Sequence, residues 1–561
     1  MLDRGSCRFY AVAVATFLVI VICMWAWYGL HSGMGYETHF PLQSESTERG
    51  RHFGIDMRRF TSTFYHLSYQ IGSWAGYAGS YVPYQLVYAA LWVLRGLLVV
   101  QIVRMLGDRQ GGIALLAGAF TVVHGADASL NWVGQLNQAG FIFWMLLAFV
   151  VLVKTFQLEH RLVVAVPLVV IAAQLARVCI YSYESPLPLV FGFPVLVLTF
   201  FLGWSWRRAM LLGAFYLLPL QFVWRWLQIS FSRDSEASYQ FSVLREDWRI
   251  GSILSDWMTN TWHSLAFWQW PGAPSDSSAA LYVVIAVCAV IALATLLVAI
   301  AAVRPGHGQT VKSRTPGFEL RLLTLSVAMV VLSFPAYLLL DSATSNWRTQ
   351  LLSAPGAGIA WSSALTLLSR IRWQREWVGT TALSMLAAGI VVAGIWAGQV
   401  GAFNHRLAWE RHRVVVASLL GIAPRVTDRT LILLVNRQAT PLIFGENVWW
   451  DYAVRLAYPR QEVTGIYFDP GGSIAPGAHI RVEGATFKLG ADIDLAFDAA
   501  SVGQTMVLEW LPGDRLRLAR GLPDWLSVES RLREEYRPQT LIGPWPPDPR
   551  AVRRFGPIKR R

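Results

Sequence analysis

Between His52 and Trp74 the apolar residues Phe53, Met57, Phe60, Phe64, Leu67, Ile71 and Trp74 follow one another at intervals of 4, 3, 4, 3, 4 and 3. This is the repeat of one helix face. His52, Asp56, Arg59, Thr63, His66 and Gln70 repeat beside them at 4, 3, 4, 3 and 4. The pattern predicts an amphipathic helix whose apolar stripe is flanked by a polar, reactive one. An amphipathic helix with Trp and Tyr is most often an interfacial element. Such a helix favours Lys and Arg on its polar face. Here the flank carries two His, an Asp, an Arg, a Thr and a Gln in register, so the segment also reads as the floor of a site.

Most of the remaining chain is apolar over lengths that cross a bilayer, which takes roughly 20 residues as a helix. Eleven spans are predicted, near 9–30, 83–106, 111–126, 133–153, 162–180, 186–204, 209–230, 279–303, 320–340, 349–369 and 378–401. Composition agrees: 54% of the 561 residues are hydrophobic and only 15% charged, against about 25% charged in soluble domains. The fold class expected is mainly α, a polytopic membrane helix bundle with a C-terminal extracytoplasmic α/β domain. The first run exceeds the length of a usual signal core and no small-x-small cleavage site follows, so it is read as a span.

Charge sets the expected orientation. Arg4 and Arg8, Arg104 and Arg109, Lys154 and Arg161, Arg207 and Arg208, Arg304 to Arg321, and Arg370 to Arg375 occupy connections of one parity. Short loops of the other parity carry almost no Lys or Arg, Arg348 excepted. The positive-inside rule then places the N-terminus in the cytoplasm. Two long loops, 31–82 and 231–278, and the tail after Gly401 face outward from a cell inner (plasma) membrane. The net charge of +13 fits orientation and anionic lipid head groups better than nucleic acid, because it is scattered over loops. Cys7, Cys23, Cys179 and Cys288 lie in or beside apolar runs and imply neither a disulfide framework nor a zinc site.

The domain reading is a transmembrane unit over 1–401, an α/β domain over 402–545, and a basic, proline-rich, disordered end over 546–561. In the tail, "TLILLV" (430–435) reads as a strand buried on both faces. "GIYFD", "HIRVEGATFKL", "TMVLEW" and "RLRLA" read as strands between turns, and "ENVWWDYAVRLAY" as a helix.

The expected outer face gathers ionisable residues. Glu37 follows span 1, Asp56 sits in the amphipathic helix, and Asp127 shares a short loop with His124. Glu184 lies in "YSYESPLPL", and Asp341 and Arg348 bracket "DSATSNWR". Trp262 and His263 belong to the Trp-rich "DWMTNTWHSLAFWQWPG" of the second long loop. Each has a plainer reading. An acid in a short loop is usually a turn or cap residue, Glu184 before Pro186 is a helix end, and a Trp cluster is more often an interfacial belt than a sugar platform. On the chemical reading Asp56 is a general base and Arg59 holds a phosphate through paired N–H donors.

In this layout the chain resembles the GT-C superfamily of integral membrane glycosyltransferases over roughly residues 9–400. The likeness rests on the acids after span 1 (Glu37, Asp56), the acid of the second outer loop (Asp127), and "YSYESPLPL", similar to a Lys-Glu…Pro pattern except that Tyr183 replaces the Lys. A paired acid after span 1 is absent, which leaves the base open between Glu37 and Asp56. The resemblance implies a polyprenyl-phosphate-linked sugar as donor and a cell-envelope glycan, lipid or protein as acceptor. It implies Asp56 or Glu37 as base, and Arg59 or Arg348 at the departing phosphate. Asp127 and Glu184 would then orient the acceptor or bind a divalent cation (Mg or Mn), with His52, His66, Trp262 and His263 lining the substrate. Partners would be membrane lipids and no nucleic acid. Three other classes compete: a surface-polysaccharide polymerase or ligase, a lipid or solute transporter, and a structural subunit that recruits a partner through its tail. Gln174 and Arg177 are the intramembrane polar residues that would serve a transporter.

Overall fold

The computed structural model describes residues 4–30, 63–75, 82–107, 111–125, 136–230, 245, 248–266, 274, 278–303, 317–339, 350–371, 376–438, 447–469, 473–474, 478–491, 495–513, 515–526 and 528–556. The chain is mainly helical, with small sheets confined to its C-terminal region. In order, the bundle comprises α1 (Arg4–Val21), α2 (Thr63–Trp74), α3 (Val82–Leu106), α4 (Gly112–Val122), α5 (Leu136–Gln157), α6 (Leu162–Ser182), α7 (Leu187–Val197), α8 (Trp206–Ser230), α9 (Ile250–Leu265), α10 (Ala279–Val303), α11 (Phe318–Leu332), α12 (Ala354–Leu368) and α13 (Glu376–Ile422). Among the described residues seven helices are long and apolar enough to cross a membrane. Seven of the eleven expected spans fall on these, and the other four overlap α4, α7, α8 and α12.

The arginines of the basic connections gather at one end of the bundle, where they meet buried acids and helix carbonyls. Arg208 pairs with Glu159 at 2.8 Å, Arg370 with the fully buried Glu319, and Arg321 donates to the Phe200 carbonyl at 3.2 Å. Arg104 lies over the rings of Phe9 and Tyr10. At this end Glu319 would be an uncompensated buried charge without its guanidinium.

Close helix contacts are made where glycine replaces a side chain. α12 lies between α11 and α4. A Cβ on Gly356 would stand 2.9 Å from the Ser326 carbonyl of α11, and one on Gly358 would stand 2.6 Å from the Thr121 nitrogen of α4. Gly394 and Gly398 of α13 fit in the same way against Val123 and Met24. Small residues four apart let helix backbones approach, and packing is the main attraction between helices in lipid. Met24 lies in a π-helical turn (Ile22–Ala26) that continues α1. The carbonyl of Cys23 in that turn accepts from the Gln399 amide of α13.

The amphipathic segment is seen as helix from Thr63, and its first half lies outside the described residues. Phe64 and Ser68 are buried against the bundle, whereas Leu67, Ile71 and Trp74 are exposed. The expected apolar stripe therefore divides. Phe64 packs on Phe143 and Trp144 of α5, and the rest of the stripe faces away from the bundle.

No break falls at residue 401. α13 continues for 47 residues in all, about 70 Å at 1.5 Å per residue, so that its second half stands clear of the bundle and carries the tail. The apolar span ends where His405, Arg406, Glu410 and Arg411 begin, yet nothing there breaks a helix. Tail residues dock on this extension: His412 meets Trp449 and Trp409 meets Phe555. The tail sheet has the order β2-β1-β6-β7. β1 (Thr430–Asn436) runs parallel to β2 (Val463–Phe468) and to β6 (Thr505–Leu511), and β7 (Arg515–Leu518) is antiparallel to β6. All seven residues of β1 are buried, as a central parallel strand requires. α14 (Asn447–Ala457) makes the crossover from β1 to β2, and its Asp451 accepts from the Gly465 nitrogen of β2 at 2.8 Å. A second sheet, β3-β4-β5, is antiparallel: β3 (Ala478–Glu483), β4 (Thr486–Ala491) and the short β5 (Ala499–Ser501).

The end expected to be disordered, 546–561, contains a helix instead. α15 (Pro549–Phe555) is capped by Asp548, which accepts from the Arg550 nitrogen at 2.8 Å, with proline at its first turn. Asp followed by Pro is a helix start, because proline's missing N–H lies where no intrahelical partner exists. Ala551 and Phe555 are buried. Residues 557–561 lie outside the described set.

Two predictions follow from this packing. Gly358→Val inserts a branched side chain where backbone atoms already touch, and should cost about 1–3 kcal/mol, read as a lower melting temperature of the purified protein; an unchanged melting temperature would show that α12 is not held this closely to α4. In the tail, Glu509 lies 2.5 Å from Arg517 and 3.3 Å from Arg437. Burial alone would raise its pKa, but the two guanidiniums outweigh it and hold the carboxyl below its ordinary 4.5. A group depressed in the folded state adds stability above its unfolded pKa and loses it as pH falls through the folded one. Acid unfolding of the intact chain should therefore steepen below pH 4.5, and Glu509→Gln should flatten that dependence while lowering stability at neutral pH. Identical acid profiles for the two chains would count against the assignment.

Candidate functional site

The opposite end of the bundle is built differently. α4 has 11 residues, a rise of about 16 Å against roughly 30 Å of hydrocarbon. It ends inside the bundle, where its last carbonyls have no helical partners. α3 supplies them. Trp92 Nε1 donates to the Val122 carbonyl at 2.8 Å and Arg95 Nη2 to the Thr121 carbonyl at 3.2 Å. The Arg95 guanidinium also lies 4.0 Å from the centre of the Trp92 ring. Arg95 is 4% exposed, and a guanidinium at this depth is held by such contacts or it is not tolerated.

α9 closes the gap that α4 leaves. His124, fully buried just beyond α4, donates from Nε2 to the Ser264 carbonyl of α9 at 2.9 Å. Ser264 Oγ donates to Ser353 Oγ at 2.7 Å, and Ser353 Oγ reaches the Gln350 carbonyl at 2.9 Å. Gln350 Nε2 lies 3.4 Å from both oxygens of Asn260. Indole nitrogens pin α9 along its length: Trp361 donates to the Leu265 carbonyl at 2.9 Å, and Trp257 of α9 to the Val331 carbonyl at 2.8 Å. Arg245 pairs with Asp256. The segment that reads as an interfacial Trp belt is thus a helix seated on the bundle end through polar contacts. Its buried residues are Asn260 and Ser264, both polar.

The expected site residues divide into three groups. Glu37, His52, Asp56, Arg59, Asp127 and Arg348 lie outside the described residues. His66 falls in α2, but its side chain is likewise outside them. Glu184, Trp262 and His263 are described, and the structure brings their segments together. Tyr183 packs with Trp257 and Leu265 of α9 on the buried cluster of Val330, Phe334, Tyr337 and Ala357. Tyr337 also donates from its hydroxyl to Ser185 Oγ at 3.2 Å. Glu184 is partly exposed in the turn between α6 and α7. Trp262 is exposed on α9. Burial pulls the His263 imidazole below its ordinary pKa, so it is uncharged at neutral pH.

The described ends Leu30, Gly125, Leu339 and Gln350 are where the chain enters and leaves the loops that carry Glu37, Asp56, Asp127 and Arg348. Tyr28 of the first helix meets Phe403 and Arg406 of α13, so the tail-bearing extension is at this same end. The two intramembrane residues expected of a transporter are placed otherwise: Gln174 is exposed on the outside of α6, and Arg177 lies against Tyr181 of its own helix. Among the described residues no three His, Cys, Asp or Glu side chains converge to hold a metal ion.

Arg95, Asn260, Ser264, Gln350 and Ser353 were not legible as site residues from pattern alone. The signal available was an arginine thirteen residues into an otherwise apolar span, and polar residues in the first turn of another. No family model matches the chain, and no curated protein matches it.

If the His124 bond seats α9, His124→Ala should leave the Ser264 carbonyl unsatisfied, at about 1–3 kcal/mol. Amide hydrogen exchange across 250–265 should then speed up while exchange in α3 and α5 stays as before. Unaltered exchange in α9 would show that the tryptophan contacts suffice.

Proposed function

We propose that the chain is an integral membrane glycosyltransferase of the GT-C type, with eleven crossings and its tail on the extracytoplasmic face. It moves a sugar from a polyprenyl-phosphate donor to a cell-envelope glycan, lipid or protein acceptor. The observation that carries this reading is the polar network of His124, Ser264, Ser353, Gln350 and Asn260, set where a short helix stops inside the bundle. Irregular backbone at membrane depth is tolerated where it is enclosed by protein or lines a water-filled cavity. The loops bearing the expected base and cations start and end around that network.

In the proposed reaction a carboxylate, Asp56 or Glu37, takes the proton from an acceptor hydroxyl. The resulting oxygen bonds to the anomeric carbon as the carbon–oxygen bond to the lipid phosphate breaks. Arg59 or Arg348 neutralises the charge that grows on that phosphate, and Asp127 and Glu184 orient the acceptor. Arg95, fixed by Trp92 and the end of α4, adds positive potential from within the bundle.

The test is sugar transfer in membranes supplied with polyprenyl-phosphate sugar. Asp56→Asn, Glu37→Gln and Asp127→Asn should leave expression normal, and at least one of the first two should lower transfer by about 10²–10⁴-fold. Wild-type transfer by both would refute the base assignment. An envelope glycan profile that is the same with and without the protein would refute the reaction.

A further inference from the structure

The tail carries a concavity of its own, of about 500 Å³. One wall is four consecutive residues of β3, 480–483; the other includes Phe468, at the end of β2, and Trp525. The two rings lie 4.5 Å apart between centroids. Successive side chains of a strand point to opposite faces. Four in a row line one cavity when that cavity runs along the strand's edge. Among the described residues β3 is the outermost strand of its sheet, so the row of backbone N–H and C=O groups not used by β4 borders the groove. An occupant that satisfies such a row repeats donors and acceptors at strand spacing.

The charges on this edge narrow the choice further. His479, Arg481 and Glu483 are exposed on one face, while Ala478, Ile480 and Val482 pack on the tail core. Arg481 stands directly opposite Lys488 of β4. Like charges so placed are destabilising, and an acid on the far side of Arg481 would relieve them. Glu483, two residues on, asks for a base. The position between them faces the aromatic wall. Edge strands are commonly guarded by charged side chains, Lys above all, and this one offers both signs in a fixed order.

We propose that the groove binds an extended segment of another polypeptide as an added strand antiparallel to β3, reading basic–apolar–acidic from its N-terminus. The basic residue lies opposite Glu483, the apolar one against Phe468 and Trp525, and the acidic one opposite Arg481. This recognition is separate from the His124 network and does not depend on sugar transfer.

The test uses the full chain in detergent micelles and two fluorescein-labelled peptides, TKFET and its charge-reversed form TEFKT, followed by anisotropy. The wild-type chain should bind TKFET saturably and prefer it by about fivefold. The double variant R481E/E483R should invert the preference, Glu483→Gln alone should reduce it, and Trp525→Ala should weaken both peptides. The proposal is overturned if neither peptide saturates the wild-type chain by about 1 mM, if charge order makes no difference, or if the wild-type preference survives in Glu483→Gln. It is equally overturned if maltotriose displaces TKFET, which would make the groove a saccharide site, or if the chain self-associates through β3 and excludes both peptides.

Discussion

A helix of 11 residues cannot carry the chain across a bilayer, and much of this molecule is arranged around that shortfall. The carbonyls at the end of α4 would each be an unsatisfied polar group in hydrocarbon, worth several kcal/mol. The sequence answers with two side chains from the neighbouring helix: an indole N–H and a guanidinium, stacked on one another so that each fixes the other's direction. At the same end α9 is bonded to His124 just beyond α4, to Val331 of α11 and to Ser353 at the start of α12. Its buried face is polar because what it meets is polar: a buried imidazole (His124), a hydroxyl (Ser353) and a side-chain amide (Gln350). An apolar residue in place of Asn260 would remove the side-chain contact to Gln350 Nε2, a loss that counts where polar groups are buried.

The helices themselves were legible because a span in lipid has a simple signature. Length and uniform apolarity suffice, and seven of the expected spans fall on helices long and apolar enough to cross. Tail strands such as Thr430–Asn436 were legible for a related reason, since a central parallel strand shows no alternation. What escaped was contact between elements distant in sequence. Nothing near Ser264 announces that its carbonyl meets His124, 140 positions away, and nothing in the charge run after Gly401 announces that α13 keeps going. A change from apolar to charged marks the edge of the membrane, not the end of a helix. The disordered reading of the C-terminal segment failed through composition: proline and arginine dominate "PWPPDPRAVRRF", yet one Asp-Pro step and two apolar positions are enough to cap and dock a short helix.

The two ends of the bundle show how one sequence supports opposite electrostatics. At the basic end the buried Glu319 pairs with Arg370 and the partly buried Glu159 with Arg208, so the helix ends there are locked by charge. At the other end neutral hydrogen bonds dominate. Neutral pairs exchange with water at little net cost, about 1 kcal/mol each, whereas separating a buried ion pair costs several. The basic end is therefore the harder one to part, and the neutral end the easier.

The continuous α13 joins that neutral end to the tail. Its first half packs against Val123 through Gly394 and against Met24, in the turn that continues α1, through Gly398, and its second half carries Trp409 and His412 into the tail's own packing. A helix is stiff along its axis, so a tail mounted this way keeps a fixed distance from the bundle end without a flexible linker. A partner or acceptor held by the tail would then be presented at a set height above α9. That is the geometric advantage of extending a span instead of ending it: positioning that a loop would have to regain through binding energy is already built into the backbone.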